Sequence, residues 1–212
     1  LSPTLGALKL VLLALIATTA VLRFGFDSGL LALSSLLLAP VIGLVVLPRD
    51  RGLFLVYAST ISFAVINLFW LRQGAGLDWT IWLILVVVAA DIGGYCFGRV
   101  IGGAKILPKI SPKKTWSGTL GGLLLAAFVG YGFAFLLGNV AGMVVLSIIV
   151  AAASQAGDIV ESAVKRHTKI KDSSNLIPGH GGFLDRFDAL IGASLVMILA
   201  GYFIGLPMGG AV

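Results

Sequence analysis

Between Ser162 and Asp188 the chain reads SAVKRHTKIKDSSNLIPGHGGFLDRFD, which places five basic residues, three aspartates and a glycine-rich turn close together. Arg and Lys neutralise phosphate, the first through a bidentate fork and the second as a point charge. Carboxylate oxygens are hard ligands suited to Mg²⁺. Side by side, the two sets of residues point to phosphate chemistry assisted by a divalent metal. Pro178-Gly179-His180-Gly181-Gly182 breaks the chain ahead of Asp185 and Asp188, which stand three apart and can share one helix face. Glycines in that turn let a backbone approach closely, and the helix that follows offers free N–H groups to an anion. Taken singly, Asp185 reads equally well as an N-cap and His180 as a turn residue bonded to a backbone carbonyl. The neighbouring cations favour the functional reading.

Two further groups carry charge. In SQAGDIVESAVKR, Ser154, Asp158 and Ser162 stack along one helix face and Lys165 continues it. A carboxylate such as Asp158 at a membrane boundary is costly unless paired or metal-bound, so a functional role is expected there. Glu161 stands at the favourable i, i+4 spacing from Lys165, and for it a salt bridge and a functional role are equally good readings. In ISPKKTW, Ser111, Lys113, Lys114 and Thr115 are candidates to hold a second phosphate, although the same lysines would serve simply to fix topology. Asp91 lies inside an apolar run beside Gly93 and Gly94 and is expected to line a polar cavity open to the cytoplasm.

Helices in a bilayer must position these groups. The chain is 58% hydrophobic over 212 residues with a mean hydropathy of +1.07, well above the roughly 45–50% apolar content of soluble domains. Runs of about 20 apolar residues, enough to cross a hydrocarbon core of about 30 Å, fall near 4–22, 29–47, 52–71, 79–98, 119–137, 140–160 and 187–206. The expected fold is therefore all-α: one polytopic integral membrane domain over 1–212 with about seven transmembrane helices. Residues 1–75 supply generic spans, 79–206 form the catalytic part, and two long cytoplasmic loops at about 99–117 and 161–186 carry the chemistry. A cleavable signal peptide is not expected, because Ala14, Ala17 and Ala20 lead into further hydrophobic sequence.

Counting Lys9, thirteen of the fifteen basic residues fall on one side of this arrangement; only Arg23 and Arg72 lie opposite. That places the N-terminus in the cytoplasm and the C-terminus outside. The net charge of +6 is thus polarised toward the face where anionic lipids and nucleotides are attracted; nucleic acid is not an expected partner. Cys96 is the single cysteine, so no internal disulfide can form, and it is expected to be a small packing residue. The spacings Gly118/Gly122 and Gly201/Gly205/Gly209 let helices approach closely, within the chain or in a homodimer.

The run from Ser162 to Asp188 resembles the signature of the phosphatidate cytidylyltransferases, the membrane enzymes that make CDP-diacylglycerol. Ser162, Lys165-Arg166, Lys171-Asp172, Pro178, His180-Gly181-Gly182, Asp185-Arg186 and Asp188 fill its places without a gap, and DIGGYCFGRVIGGAKILPKISPKKTWSGTLGG, from Asp91 to Gly122, is similar to a second family segment. The resemblance implies CTP and phosphatidic acid as substrates among membrane lipids, with Mg²⁺ as cofactor and a second cation compatible with the site. It implies Asp158, Lys165, Arg166, Asp185, Arg186 and Asp188 as catalytic residues, with Asp158, Asp185 and Asp188 at the metal. Ser111, Lys113, Lys114, Thr115, Ser162, Lys171, His180, Gly181 and Gly182 would bind substrate. A bacterial inner membrane, with the site facing the cytoplasm, is the expected location. Two rival readings stand beside it. A cation transporter would use Asp91 and Asp158 but leaves the basic excess and the His-Gly-Gly turn without a purpose. A CDP-alcohol phosphotransferase would carry an Asp-Gly-x-x-Ala-Arg segment, and the chain has none.

Overall fold

The computed structural model describes residues 38, 40–45, 47, 50–137, 139–168, 170 and 184–204. The chain divides into two compact units, residues 1–69 and 70–212. In the first, helical backbone at 40–45 precedes helix α1, Arg51–Trp70. The spans expected at 4–22 and, apart from the residues just named, at 29–47 lie outside the described residues.

The second unit opens with a π-helical turn at Leu71–Ala75 and continues as α2 (Leu77–Val100), β1 (Lys105–Leu107), β2 (Ser111–Thr115), α3 (Trp116–Leu137), α4 (Val140–His167) and α5 (Leu184–Ile204). Among the described residues, four helical stretches are long and apolar enough to cross a membrane: Arg51–Ala75, Leu77–Val100, Trp116–Leu137 and Ala141–His167. In α5 the apolar run, Phe187–Phe203, is shorter. The helical class thus holds, with the expected spans at 52–71, 79–98, 119–137, 140–160 and 187–206 each falling on a helix.

Two expectations about the backbone need correction. The connection at 99–117 is a hairpin rather than an open loop. Gly102 and Gly103, at φ 66° and 104°, swing the chain out of α2 through backbone that a side chain would strain. The antiparallel strands then pair Lys105 with Thr115 and Leu107 with Ser111. The other correction concerns the span boundary expected at 160: α4 runs seven residues past it, so the helix face read through Ser162 and Lys165 is present and Glu161 and Arg166 are on helix rather than in the loop at 161–186. The extension follows from its residues: Glu161 pairs with Lys165 one turn on, Lys165, Arg166 and His167 favour the negative end of the helix dipole, and no proline occurs until Pro178.

Packing runs in chain order, α2 on α3, α3 on α4 and α4 on α5, with α2 also meeting α4. Trp82, Leu83 and Val86 of α2 are fully buried against a core that includes Val150 and Ala151 of α4 and Met197 of α5. The buried Trp82 indole donates to Ser147 Oγ at 3.0 Å, and Ser147 Oγ in turn donates to the Met143 carbonyl at 2.8 Å. Such satisfied polar contacts suit a core with no water to solvate them. Leu120, Phe128, Phe135 and Leu136 of α3 point outward, as on a helix that faces lipid. Cys96 also lies on the outer surface, not in the packed interior as expected, because the inward face of its helix is taken by Ala90 and Gly93.

Glycines set the helix spacing that the sequence anticipated within the chain. A methyl group on Gly118 would stand 2.5 Å from the Gly94 carbonyl oxygen, and one on Gly122 would stand 2.6 Å from that of Ala90. Gly157 of α4 is equally close to α5, 2.6 Å from the Asp188 carbonyl oxygen by the same measure.

Candidate active site

The C-terminal ends of α2 and α4, the hairpin and the start of α3 meet at one end of the second unit. Arg166 Nε donates to the Ile110 carbonyl at 3.3 Å, tying the hairpin turn to the last turn of α4. Lys114 Nζ makes an ion pair with Asp158 Oδ2 at 2.5 Å and donates to the Gln155 backbone carbonyl at 3.1 Å. Arg99 and the basic residues of the hairpin and of the end of α4 therefore gather at this end, and Arg72 sits in the π-helical turn that precedes α2, at the other.

Asp91, Tyr95, Lys113, Lys114, Gln155 and Asp158 line an open cavity of about 210 Å³ between α2, α3, α4 and the hairpin. Thr115, Gly118 and Thr119 complete the wall on the α3 side. Asp91 reaches the cavity from within its span, as expected, and lies in electrostatic reach of both Asp158 and Lys114. Thr115 is 3% exposed and its hydroxyl accepts from the Gly118 N–H at 3.2 Å, capping α3. Lys113 is exposed and makes no hydrogen bond or ion pair among the described residues. Ser111 sits at the start of β2, away from the cavity lining.

Beside the cavity, Glu161 is 2% exposed and its Oε2 takes Lys165 Nζ at 2.8 Å. The salt bridge expected for Glu161 is thus present. Among the described residues its buried Oε1 has no hydrogen-bond donor, while its carboxyl approaches that of Asp188 on α5. Asp188 Oδ1 accepts from the Ala189 N–H at 2.7 Å. Two ionised carboxylates only accept, so their contact calls for a proton or a cation between them. Hard carboxylate oxygens, one of them buried and unbonded among the described residues, are chemistry compatible with Mg²⁺. Among the described residues no three His, Cys, Asp or Glu side chains converge on one point.

The structure thus brings Lys113, Lys114, Thr115 and Asp158 to one cavity, and sets Glu161, Lys165 and Asp188 in a cluster next to it. Asp185 and Arg186 are on the first turn of α5; their side chains, with Lys171, His180, Gly181 and Gly182, lie outside the described residues. Sequence reasoning passed over Tyr95, Thr119 and Gln155. Signals for two of them were present: Tyr95 follows Asp91 at i+4, and Gln155 precedes Asp158 at i−3, so each shares a helix face with a carboxylate already singled out.

Residues 3–204 match the cytidylyltransferase family. The chain belongs to that family. Its relatives include the phosphatidate cytidylyltransferase of Haemophilus influenzae, 44% identical over 125 residues, covering 56% of this chain and 43% of the relative. Those of Brucella suis and Staphylococcus haemolyticus are 41% identical over 160 residues and 37% over 171 residues, covering 74% and 77% of this chain and 57% and 64% of theirs. The chain thus spans about half the length of these curated relatives, or somewhat more.

Proposed function

We propose that the protein transfers the cytidylyl group of CTP to phosphatidic acid, forming CDP-diacylglycerol and pyrophosphate. The observation that carries this reading is the cavity in which Lys113 and Lys114 stand with Asp91 and Asp158 at the end of membrane-length helices, in a chain whose relatives are named phosphatidate cytidylyltransferases. The presence of those names on bacterial proteins supports a bacterial membrane, and the gathering of basic residues at the cavity end supports the cytoplasmic side for the site.

In this reaction an oxygen of the lipid phosphate attacks the α-phosphorus of CTP. The new P–O bond forms as the bond from the α-phosphorus to the bridging oxygen breaks, and pyrophosphate leaves with the electron pair. Both reactants are anions, so neutralisation and in-line orientation supply most of the catalysis. Lys113 and Lys114 attract the incoming phosphates into the cavity. Lys165, fixed in direction by the buried Glu161, and with it Arg166, Lys171 and Arg186, would receive the charge that grows on the leaving pyrophosphate. Asp158, Asp185 and Asp188 would hold Mg²⁺, and a second cation is compatible with the same carboxylates; bound there, the metal supplies charge neutralisation at the reacting phosphates. The Ser162 hydroxyl and the His180-Gly181-Gly182 turn complete the substrate contacts. A homodimer remains compatible with the glycine spacings of the sequence.

Purified protein in mixed micelles, given phosphatidic acid and CTP labelled at the α-phosphate, should yield labelled lipid and an equal amount of pyrophosphate, and neither in EDTA. The α-label separates nucleotidyl transfer from hydrolysis and from γ-phosphoryl transfer. If CDP-diacylglycerol and an alcohol react instead, the protein is a phosphotransferase; if neither pair reacts and cations move, it is a transporter.

A further inference from the structure

The deep part of the cavity has a chemistry that phosphate transfer does not use. Asp91 lies nine residues before the end of α2, about 13 Å along the helix at 1.5 Å per residue, whereas the cavity lysines are on the hairpin beyond that end. Its carboxylate makes no hydrogen bond or ion pair among the described residues, for the ion pair of Lys114 is with Asp158. An acceptor-only group inside a helical span is costly to leave unpaired, and a ligand that brings a donor into the cavity would satisfy it. One turn along, Tyr95 lines the same cavity with 63% of its surface exposed. Its ring is held by Arg99, which donates to the phenol oxygen at 2.5 Å and stands 5.8 Å from the ring centre. Across the cavity, Gln155 Nε2 donates to the Thr119 carbonyl at 3.3 Å, which fixes the amide and leaves its oxygen as a second acceptor.

A carboxylate acceptor with an aromatic face one helical turn away is the pair of features that reads a nucleobase: stacking on the ring, hydrogen bonding at the base edge. A phosphate, by contrast, would be repelled by Asp91. The volume agrees, since 210 Å³ is less than the roughly 300–1,000 Å³ that encloses a whole ligand and suits one end of an extended molecule.

Building on the cytidylyl-transfer reading, we propose that Asp91 is the residue that selects cytosine, accepting a hydrogen bond from its exocyclic amine while Tyr95 stacks on the ring and Gln155 offers the second acceptor. Uracil presents a carbonyl oxygen where cytosine has the amine, so Asp91 repels it. The base enters first and lies deep, and the triphosphate trails toward Lys113 and Lys114 at the mouth.

The test compares CTP with UTP in the labelled-lipid assay, and CDP with UDP as inhibitors that separate binding from turnover. Asp91→Asn puts an amide donor opposite uracil's oxygen and removes the charge that cytosine's amine prefers. The ratio of kcat/KM for CTP over UTP should fall about 5- to 140-fold, the 1–3 kcal/mol of one base contact converted at 1.4 kcal/mol per tenfold. The CDP-over-UDP preference should fall alongside, and KM for phosphatidic acid should stay unchanged. Tyr95→Ala, on an exposed surface and so safe for folding, should raise KM for both nucleotides and leave their ratio alone. An unchanged ratio in Asp91→Asn, a shift confined to the KM for phosphatidic acid or to the Mg²⁺ requirement, or an unaltered nucleotide KM in Tyr95→Ala would each overturn the assignment. Should Asp91→Asn fail to fold, Asp91→Glu, which keeps the charge and moves the acceptor, takes its place: the CTP-over-UTP ratio should fall there as well, and an unchanged ratio overturns the assignment. If the unaltered protein transfers no label, the cytidylyl reading fails; titration of that protein with CDP and UDP then tests base selection by itself, and equal affinity sinks it.

Discussion

Gly118→Ala and Gly132→Ala make the same change on the same helix, and the structure gives them opposite signs. At Gly118 the added methyl would stand 2.5 Å from the Gly94 carbonyl oxygen and 3.2 Å from the Gly98 Cα. An ordinary carbon–oxygen contact is about 3.3 Å or more, so α2 and α3 must part by about 0.8 Å. Backbone on both sides cannot rotate away, and overpacking of this kind costs about 1–3 kcal/mol. At Gly132 nothing lies within 4 Å, and replacing a mid-helix glycine there gains about 0.5–1 kcal/mol. The two variants should differ by about 1.5–4 kcal/mol, read as a clear separation of their thermal midpoints in detergent, with Gly132→Ala above the parent and Gly118→Ala below it. Gly118 also lines the cavity, so parting the helices shifts Asp91 and Tyr95 relative to Thr119. A displacement near 1 Å can cost about 100-fold in rate, so Gly118→Ala should lose most of its turnover and Gly132→Ala none. Equal midpoints and full activity in both would refute the claim that backbone contact sets the α2–α3 distance.

Asp158→Asn should abolish turnover in protein that still elutes as a folded species, because an amide keeps the shape and loses the charge; near-normal activity at saturating Mg²⁺ would remove Asp158 from the metal site. Glu161→Gln removes the buried charge that pairs with Lys165 at 2.8 Å and should raise the KM for CTP more than it lowers kcat, an effect absent if the pair serves stability alone. Trp82→Phe removes the donor to Ser147 while Ser147 keeps its bond to Met143, so stability should fall by about 0.5–1.5 kcal/mol with kcat/KM unaltered. Cysteines placed at Lys109 and Ser174 on a Cys96→Ala background should react with an impermeant thiol reagent only after the cytoplasmic face is opened; labelling of both in intact cells would reverse the orientation.

Helices were the most legible part of the sequence, because apolar length speaks directly to a bilayer core. The boundary of α4 was not, since hydropathy drops where Asp158 and Glu161 begin although the backbone continues; the i, i+4 pair and the basic last turn were the better guide. The Lys113-Lys114 and Asp158 groups, 44 residues apart at Lys114 and Asp158, were each marked by charge in an apolar chain, and only the fold shows that they meet. Tyr95 and Gln155 carried no charge to mark them, and their value depends on the tilt of α2 and α4 around one cavity. Cys96 was misplaced for the same reason: an apolar helix displays no hydropathy contrast to tell its inner face from its lipid face.

Helix α4 is 28 residues long, about 42 Å at 1.5 Å per residue against a hydrocarbon core of about 30 Å. It is anchored at its far end, where Asn139 caps it by accepting from the Gly142 N–H at 3.1 Å and Ser147 receives Trp82. Asp158, eighteen residues from the start, lies about 27 Å along the helix, so with the start of α4 at one edge of the hydrocarbon it stands close to the other edge. Bilayer thickness then becomes a control on the chemistry. A thinner membrane brings Asp158 and Lys114 out among headgroups and water, which weakens every charge interaction between them. A thicker one draws them under and strengthens those interactions, at the expense of access from the aqueous side.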